Sequence, residues 1–169
     1  MSAESCGFGT EEQKQKYLPK LASGAILGAW GLTEPGSGSD ASGVRTRAVR
    51  DGDDWILNGT KTFITQGSVG KVAVIMASTE PAQKKHGITA FIVEHGTPGF
   101  TVGNHLRKLG MRASDTVELN LENVRLSDEQ RLGDVNRGFL DTLNILDAGR
   151  IGIASLAIGL GRAALEAAA

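Results

Sequence analysis

A loop rich in glycine and serine, residues 32–40, has the composition best suited to ligand chemistry in this chain. Its sequence, Leu32-Thr33-Glu34-Pro35-Gly36-Ser37-Gly38-Ser39-Asp40, follows an apolar run that ends at Trp30. Glycines let the backbone approach a ligand closely, and successive amides in a turn form a concave array of donors that attracts anions. The two serines add hydroxyl groups. The loop therefore suits a ligand with phosphates or a polar heterocycle; the alternative is a plain turn joining two strands.

The spacing of Gly36, Gly38 and Ala41 superficially matches the glycine fingerprint of dinucleotide-binding folds. That fingerprint requires a helix to open at the glycines inside a strand-helix-strand unit. Here the following segment, residues 44–50, is rich in residues that favour strands. A nucleotide site at this loop is therefore not of the Rossmann type.

Composition and charge exclude several classes of protein. A charged fraction of 22% and a formal net charge of −1 argue against an electrostatic nucleic-acid binder. Cys6 is the only cysteine, which excludes an internal disulfide and a cysteine-cluster metal site, and the three histidines show no ligand spacing. Residues 1–10 lack the apolar core of a signal peptide, and no run approaches about 18 consecutive apolar residues, so no membrane span is expected.

The elements that must position the loop form a predicted all-β block. From residue 25 to about residue 126, short runs of strand-favouring residues alternate with turn residues. The predicted strands are Val44–Arg50, Trp55–Leu57, Lys61–Thr65, Val72–Ala77, Ile88–Val93 and Val117–Leu121.

Turn and burial patterns refine this block. Hairpin turns at Asp51–Asp54 and at Asn58-Gly59 would make the first three strands a meander. The fourth and fifth strands lack polar alternation, so both of their faces should be covered, as in a sandwich or barrel.

Helices are predicted at both ends of the chain. Thr10 and Gln13 form a capping box that opens a short helix, which ends near Gly24. After Gly138 the apolar spacing predicts a helix of ~31 residues, about 46 Å long, that runs to the end of the chain. Its glycines cost about 0.8–1 kcal/mol each relative to alanine, so we expect close packing against other helices. Since no glycine cap or proline stop follows, we expect the chain to end inside an element.

The chain resembles the acyl-CoA dehydrogenases, flavoproteins that introduce a double bond between the α and β carbons of acyl-CoA thioesters. The motifs that carry the resemblance are Gly9–Lys14 with Leu18-Pro19, residues 32–40, Asn58–Lys61, Phe63–Thr65, Thr97–Phe100, Leu109–Thr116 and Leu146–Arg150. One such motif is modest evidence, whereas their occurrence together and in order is strong.

The resemblance implies a domain organisation. Residues 1–24 would be the end of an amino-terminal helical domain, and residues 25–130 a β-rich middle domain that binds flavin and acyl-CoA. Residues 137–169 would be the first helix of a carboxy-terminal bundle of four helices. The implied fold class is mainly β with flanking α-helices, and the middle domain is an antiparallel β-barrel or sandwich. The last helix would lie along a tetramer interface region, so a homo-oligomer, a homotetramer in the family, is expected at full length.

The resemblance also implies which residues bind FAD. The implied set is Trp30, Leu32, Thr33, Gly38, Ser39, Phe63, Ile64 and Thr65. Main-chain and hydroxyl groups of Leu32 and Thr33 would meet the pyrimidine edge of the flavin. Phe63 stands where relatives commonly have tryptophan, which keeps an aromatic face but loses the indole donor. Without the resemblance, Phe63 and Ile64 are equally well explained as hairpin core, and Thr65 as an exposed strand residue.

Ser39, Asp147 and Arg150 are implied to contact the acyl-CoA substrate. Asp147 and Arg150 lie three residues apart on one helical face, so the alternative is an intrahelical ion pair worth a few tenths of a kcal/mol. We interpret a further cluster, Arg112, Ser114 and Asp115, as a polar cluster that orders its loop; the alternative is direct contact with a ligand.

No catalytic residue is assigned within this chain. In most relatives the glutamate base would lie beyond Ala169, and in a minority it directly precedes the arginine that corresponds to Arg150, where this chain has Gly149. The resemblance implies that an electron-transferring flavoprotein accepts the electrons, and that the protein resides in a bacterial cytoplasm or a mitochondrial matrix. Two alternatives remain open: an acyl-CoA oxidase or related flavin monooxygenase, and a catalytically inert β-rich binding module.

Overall fold

A short helix and a long helix flank a run of eight strands in the computed structural model, which describes residues 7–169. The prediction for Cys6 lies outside the described residues. The elements are α1 (Glu11–Ala22), β1 (Gly28–Gly31), β2 (Arg47–Asp51), β3 (Asp54–Thr65), β4 (Val72–Ser78), β5 (Ile88–Glu94), β6 (Phe100–His105), β7 (Thr116–Ser127), β8 (Arg131–Leu132) and α2 (Gly138–Ala168).

The strands belong to one sheet with the order β6-β7-β3-β2-β4-β5-β8, and β1 pairs with β4 off this path. The β1–β4 pairing and the single β2–β4 pairing are parallel, whereas the remaining neighbours run antiparallel. Among the described strands the end strands β6 and β8 do not pair with each other, so the sheet is open. The prediction of a mainly β fold with flanking helices is confirmed, and the expected barrel or sandwich takes the form of this open sheet.

Strands β4 and β5 are covered on both faces, as their apolar runs predicted. One face, which includes Ile75 and Phe91, packs with residues of β3 and β7 in one buried cluster. The other face, which includes Val74 and Met76, forms a second cluster. Side chains of α1, of β1 and of the start of α2 pack against this second cluster: Tyr17, Leu21, Trp30 and Phe139.

The prediction of a hairpin turn at Asn58-Gly59 is wrong, and with it the three-strand meander. Strand β3 continues through this dipeptide, and the register slips between Leu57 and Gly59 where β3 pairs with β7. A Cβ atom on Gly59 would lie 2.4 Å from Thr46 Oγ1 and 2.8 Å from Thr46 Cα. Glycine is therefore required here because β3 passes close to the residues before β2. The other predicted turn, Asp51–Asp54, does join β2 to β3.

Both helices form where the sequence predicts them. Thr10 and Gln13 make the expected capping box at the start of α1. Helix α2 has 31 residues, and several apolar side chains from Ile151 onward are exposed, among them Ile151 and Ile158. By length and composition α2 would be able to cross a membrane, since an 18-residue window has a mean hydropathy of 1.4. A single such helix is weak evidence for a membrane span, because core helices of soluble proteins meet the same criterion.

Candidate cofactor and substrate site

The glycine- and serine-rich loop leaves the end of β1 and folds into a tight turn. Glu34 N–H donates to Ser37 O at 2.9 Å, and Ser37 N–H donates back to Glu34 O at 3.1 Å. The Ser37 hydroxyl donates to Asp40 O at 2.6 Å, so it serves the loop itself. Gly38 and Ser39 are exposed, as are Pro35, Gly36 and Asp40.

The Glu34 side chain anchors this loop to the sheet. Its carboxylate is buried and accepts hydrogen bonds from Arg45 N–H at 2.7 Å, Thr46 N–H at 2.9 Å and Lys61 Nζ at 2.7 Å. Burial acts to raise the pKa of Glu34, but the charge of Lys61 and these hydrogen bonds outweigh it, so the pKa is lowered overall. Glu34 is therefore an ionised structural carboxylate whose oxygens are engaged, which does not suit a general base.

Lys61 lies on β3 with its side chain 0% exposed. Besides Glu34, its ammonium group donates to Leu32 O at 3.3 Å. Burial lowers the pKa of Lys61 to about 8, and the neighbouring Glu34 opposes that shift. Sequence reasoning treated Lys61 as an ordinary strand residue. Strand alternation gives no signal for this burial, because the β3–β7 register slips between Lys61 and Ile64 and leaves Phe63 and Thr65 exposed.

The end of β3 lies directly beside the loop. Thr62 N–H donates to Thr33 O at 2.9 Å, and the β3–β7 register then slips between Lys61 and Ile64. At this irregularity Phe63 has a φ of 57° and its side chain is 65% exposed. A left-handed conformation costs a non-glycine residue roughly 1–2 kcal/mol, and such strain clusters at functional sites. The structure thus presents an aromatic side chain on the surface, directly after the residue that is hydrogen-bonded to Thr33.

The neighbours of Phe63 differ in what they offer a ligand. Ile64 is 2% exposed and belongs to the core cluster of β3 and β7, so only its main chain is available. Thr65 is exposed, like Phe63. Core packing therefore accounts for Ile64, as the alternative interpretation had it, but not for Phe63.

An apolar cavity of about 690 Å³ separates β1 and β4 from helix α2. Trp30 and Met76 line it from the sheet, and Leu146 and Arg150 line it from the helix. Arg150 also forms an ion pair with Asp147 on the exposed face of α2. Arg150 thus forms the intrahelical ion pair and also lines the cavity. Ser39 is not among the cavity-lining residues in the described part of the chain.

Asp115 is hydrogen-bonded to the turn that follows β3. Its carboxylate accepts hydrogen bonds from Ser68 N–H at 2.8 Å and from the Ser68 hydroxyl at 2.9 Å. Ser114 contributes its carbonyl, which accepts a hydrogen bond from Lys108. These contacts link the segment before β7 to the turn that follows Phe63 and Thr65.

Comparison with known proteins identifies the family. The model of the acyl-CoA dehydrogenase middle domain matches residues 29–124. The chain belongs to the acyl-CoA dehydrogenase family. Its similarity to an acyl-CoA dehydrogenase of Bacillus subtilis (strain 168) reaches 51% identity over 159 residues, which is 94% of this chain and 42% of that protein. The chain thus spans about two fifths of the length of such relatives, which include bacterial and mitochondrial proteins.

Solved structures of the family have the same fold over this region. Butyryl-CoA dehydrogenase from Megasphaera elsdenii superposes with a TM-score of 0.86 at 46% identity, covering 89% of this chain and 40% of that one. A glutaryl-CoA dehydrogenase from Mycobacterium smegmatis in complex with FADH2 gives a TM-score of 0.74 at 48% identity, covering 83% of this chain and 36% of that one.

The chemistry of the assembled groups fits a flavin nucleotide. The flavin ring is flat and aromatic with polar atoms along one edge, and Phe63 supplies an exposed aromatic side chain next to Thr62, whose N–H is hydrogen-bonded to the Thr33 carbonyl. The pyrophosphate requires donors, which the exposed backbone and hydroxyl of Gly38 and Ser39 provide. The acyl-CoA dehydrogenase family assignment and the local geometry therefore agree on the class of ligand.

Proposed function

We propose that the full-length protein is an FAD-dependent acyl-CoA dehydrogenase. In this proposal residues 25–130 are its middle domain, residues 1–24 end the amino-terminal helical domain, and residues 137–169 begin the carboxy-terminal helical domain. The observation that carries the proposal is the strained, exposed Phe63 held beside the glycine- and serine-rich loop by the Thr62–Thr33 hydrogen bond.

The residues proposed to hold FAD are Trp30, Leu32, Thr33, Gly38, Ser39, Phe63, Ile64 through its main chain, and Thr65. FAD, when bound, would supply a hydride acceptor for the acyl β carbon, and a glutamate beyond residue 169 would be the base for the α proton. Phe63 covers part of the flavin ring and excludes water from it. Thr33 donates hydrogen bonds to its polar edge, and the amides near Gly38 and Ser39 bind the anionic pyrophosphate.

Acyl-CoA is the proposed substrate, and the cavity between the sheet and α2 supports this choice. Its apolar lining suits the acyl group or the pantetheine arm. Arg150 supplies a cation at the same cavity, and guanidinium groups favour phosphate and carbonyl oxygens. Asp147 orients Arg150 through their ion pair. Ser39, at the exposed loop tip, is proposed to contact both FAD and the substrate.

Partners and location follow from the same proposal. The electrons pass to an electron-transferring flavoprotein. Helices of the same or another subunit cover the exposed apolar face of α2, since the full-length protein is proposed to be a homo-oligomer. A bacterial cytoplasm or a mitochondrial matrix is the proposed location.

Replacement of Phe63 tests the cofactor site. In the full-length protein, Phe63→Ala is expected to weaken FAD binding by about 2- to 12-fold, because an aromatic contact with a flat ring is worth about 0.5–1.5 kcal/mol beyond its buried area. The matched control is Val49→Ala, which removes another exposed apolar side chain of the sheet, 53% exposed on β2. Titration of the apoprotein with FAD, followed by flavin fluorescence, measures both. Equal affinities in the two variants would contradict the proposed site.

A further inference from the structure

Lys61 and Glu34 form a buried ion pair that the proposed chemistry does not use directly. Their side chains are 0% and 6% exposed, and Lys61 Nζ lies 2.7 Å from Glu34 Oε1. Replacing a buried ion pair by apolar residues of similar volume often leaves a fold as stable or makes it more stable. Stability alone is therefore a poor explanation for this ion pair.

The second contact of Lys61 is the carbonyl of Leu32, at 3.3 Å. The next carbonyl, that of Thr33, accepts the hydrogen bond from Thr62 N–H at 2.9 Å. Both carbonyls of this segment are thus directed at β3. A trans peptide is planar and its N–H points opposite to its C=O. The peptide that joins Leu32 to Thr33 therefore directs Thr33 N–H away from Lys61.

The surroundings of Lys61 are built to admit it. A Cβ atom on Gly31 would lie 3.2 Å from Lys61 Cγ and 2.6 Å from Ile75 Cδ1, so glycine makes room for the lysine stem. Glu34 is held by Arg45 N–H at Oε2 and by Thr46 N–H at Oε1, the oxygen that also accepts from Lys61. The ammonium group is thereby fixed between the carboxylate and the Leu32 carbonyl.

We propose that Lys61, held by Glu34, is a positioning residue that sets the orientation of the peptide between Leu32 and Thr33, so that Thr33 N–H faces the flavin. This inference rests on the proposed function, because it assigns a role toward FAD. Lys61 touches neither cofactor nor substrate; it acts through the backbone of the loop. The same contacts tie the two FAD-binding segments, residues 32–39 and residues 63–65, into one unit.

Three variants of the full-length protein separate this role from a merely structural one: Lys61→Met, Glu34→Gln and the double variant. Lys16→Met is the matched control, since Lys16 forms an exposed ion pair with Glu94 at 2.8 Å. Two properties are measured. One is the Kd of the apoprotein for FAD, and the other is amide hydrogen exchange of the peptide that covers residues 31–35, recorded without FAD. Thermal unfolding reports stability alongside.

Lys61→Met is expected to bind FAD about 10-fold more weakly, the effect of one lost charge-assisted hydrogen bond, and to exchange faster at residues 31–35. The double variant leaves no unpaired buried charge, so it should recover thermal stability relative to Lys61→Met. Its FAD Kd should nevertheless stay weak, because no group holds the Leu32 carbonyl. Lys16→Met should match the wild type in both properties.

Two results would overturn the inference. A double variant that regains the wild-type Kd would show that the pair matters only for stability. Unchanged hydrogen exchange at residues 31–35 in Lys61→Met would refute the positioning of the peptide, and this measurement does not depend on FAD. If Lys61→Met does not fold, the double variant provides both measurements. A wild-type protein that binds no FAD would instead refute the proposed function. The hydrogen-exchange data test only the positioning of the peptide and do not test the proposed function.

Discussion

Replacing Gly59 by alanine should destabilise the sheet and the cofactor loop together. The added Cβ would lie 2.4 Å from Thr46 Oγ1 and 2.8 Å from Thr46 Cα, whereas real Cβ atoms essentially never come closer than 3.0 Å. Because one neighbour is backbone, a side-chain rotation does not relieve the contact. Overpacking of this kind costs about 1–3 kcal/mol, and alanine in a backbone conformation suited to glycine costs about 1–3 kcal/mol more. The expected loss is therefore about 2–6 kcal/mol out of a typical total of about 5–15 kcal/mol.

Urea denaturation of the full-length apoprotein, followed by circular dichroism, measures this loss. With a slope of about 2 kcal/mol per M, the midpoint should fall by roughly 1–3 M. Gly110→Ala is the matched control, since a Cβ there would meet nothing within 4 Å and its φ is not positive. Displacement of Thr46 also disturbs its hydrogen bond to Glu34, so FAD affinity should fall in the same variant. A midpoint shift as small as that of Gly110→Ala would refute the reasoning.

Three further predictions concern strain, substrate and pH. Phe63→Gly should raise the free energy of unfolding by up to about 1 kcal/mol, because glycine adopts a φ of 57° without strain. The same variant should bind FAD more weakly. Denaturation measures the gain in stability, and flavin titration measures the loss of affinity. Arg150→Ala should raise KM for acyl-CoA about 10-fold or more with a smaller effect on kcat, whereas steady-state kinetics with both parameters unchanged would remove Arg150 from the substrate site. Hydrogen bonds from Arg131 and Trp55 hold the pKa of Asp128 at about 2, below its ordinary value, so its stabilising contribution is present above about pH 4 and is lost as pH falls toward 2. Asp128→Asn should flatten the dependence of the urea midpoint on pH in that window, and an unchanged slope would argue against this origin.

The strands that sequence reasoning predicts best are those whose pattern reflects burial on both faces. The predicted Val72–Ala77 and Ile88–Val93 correspond to β4 (Val72–Ser78) and β5 (Ile88–Glu94). Inside a block of strands, an uninterrupted apolar run is best explained as a strand that is covered on both faces. Local turn preference misled the prediction at Asn58-Gly59, because pairing with β7 carries β3 through the dipeptide as a bulge. Tertiary pairing thus overrides an intrinsic preference that would otherwise decide the conformation.

In the candidate site, too, some features can be predicted from the sequence and others depend on the tertiary fold. The composition of residues 32–40 indicates a ligand loop because glycine and serine have a direct chemical use there. The strained φ of Phe63 is invisible in the sequence, since it arises from a register slip that depends on β7. The Lys61–Glu34 ion pair joins residues 27 positions apart, and only the fold brings them together.

Anaerobic addition of acyl-CoA thioesters to the full-length, FAD-loaded protein tests the central claim most directly. The visible flavin absorption is recorded before and after addition of a panel of acyl chain lengths and branching types. The proposed function predicts that at least one thioester bleaches the flavin band, as hydride passes to FAD, and that the corresponding enoyl-CoA forms in equal amount. A protein that binds FAD but is reduced by none of these thioesters would contradict the dehydrogenase assignment, and one that binds no FAD would contradict the cofactor site itself.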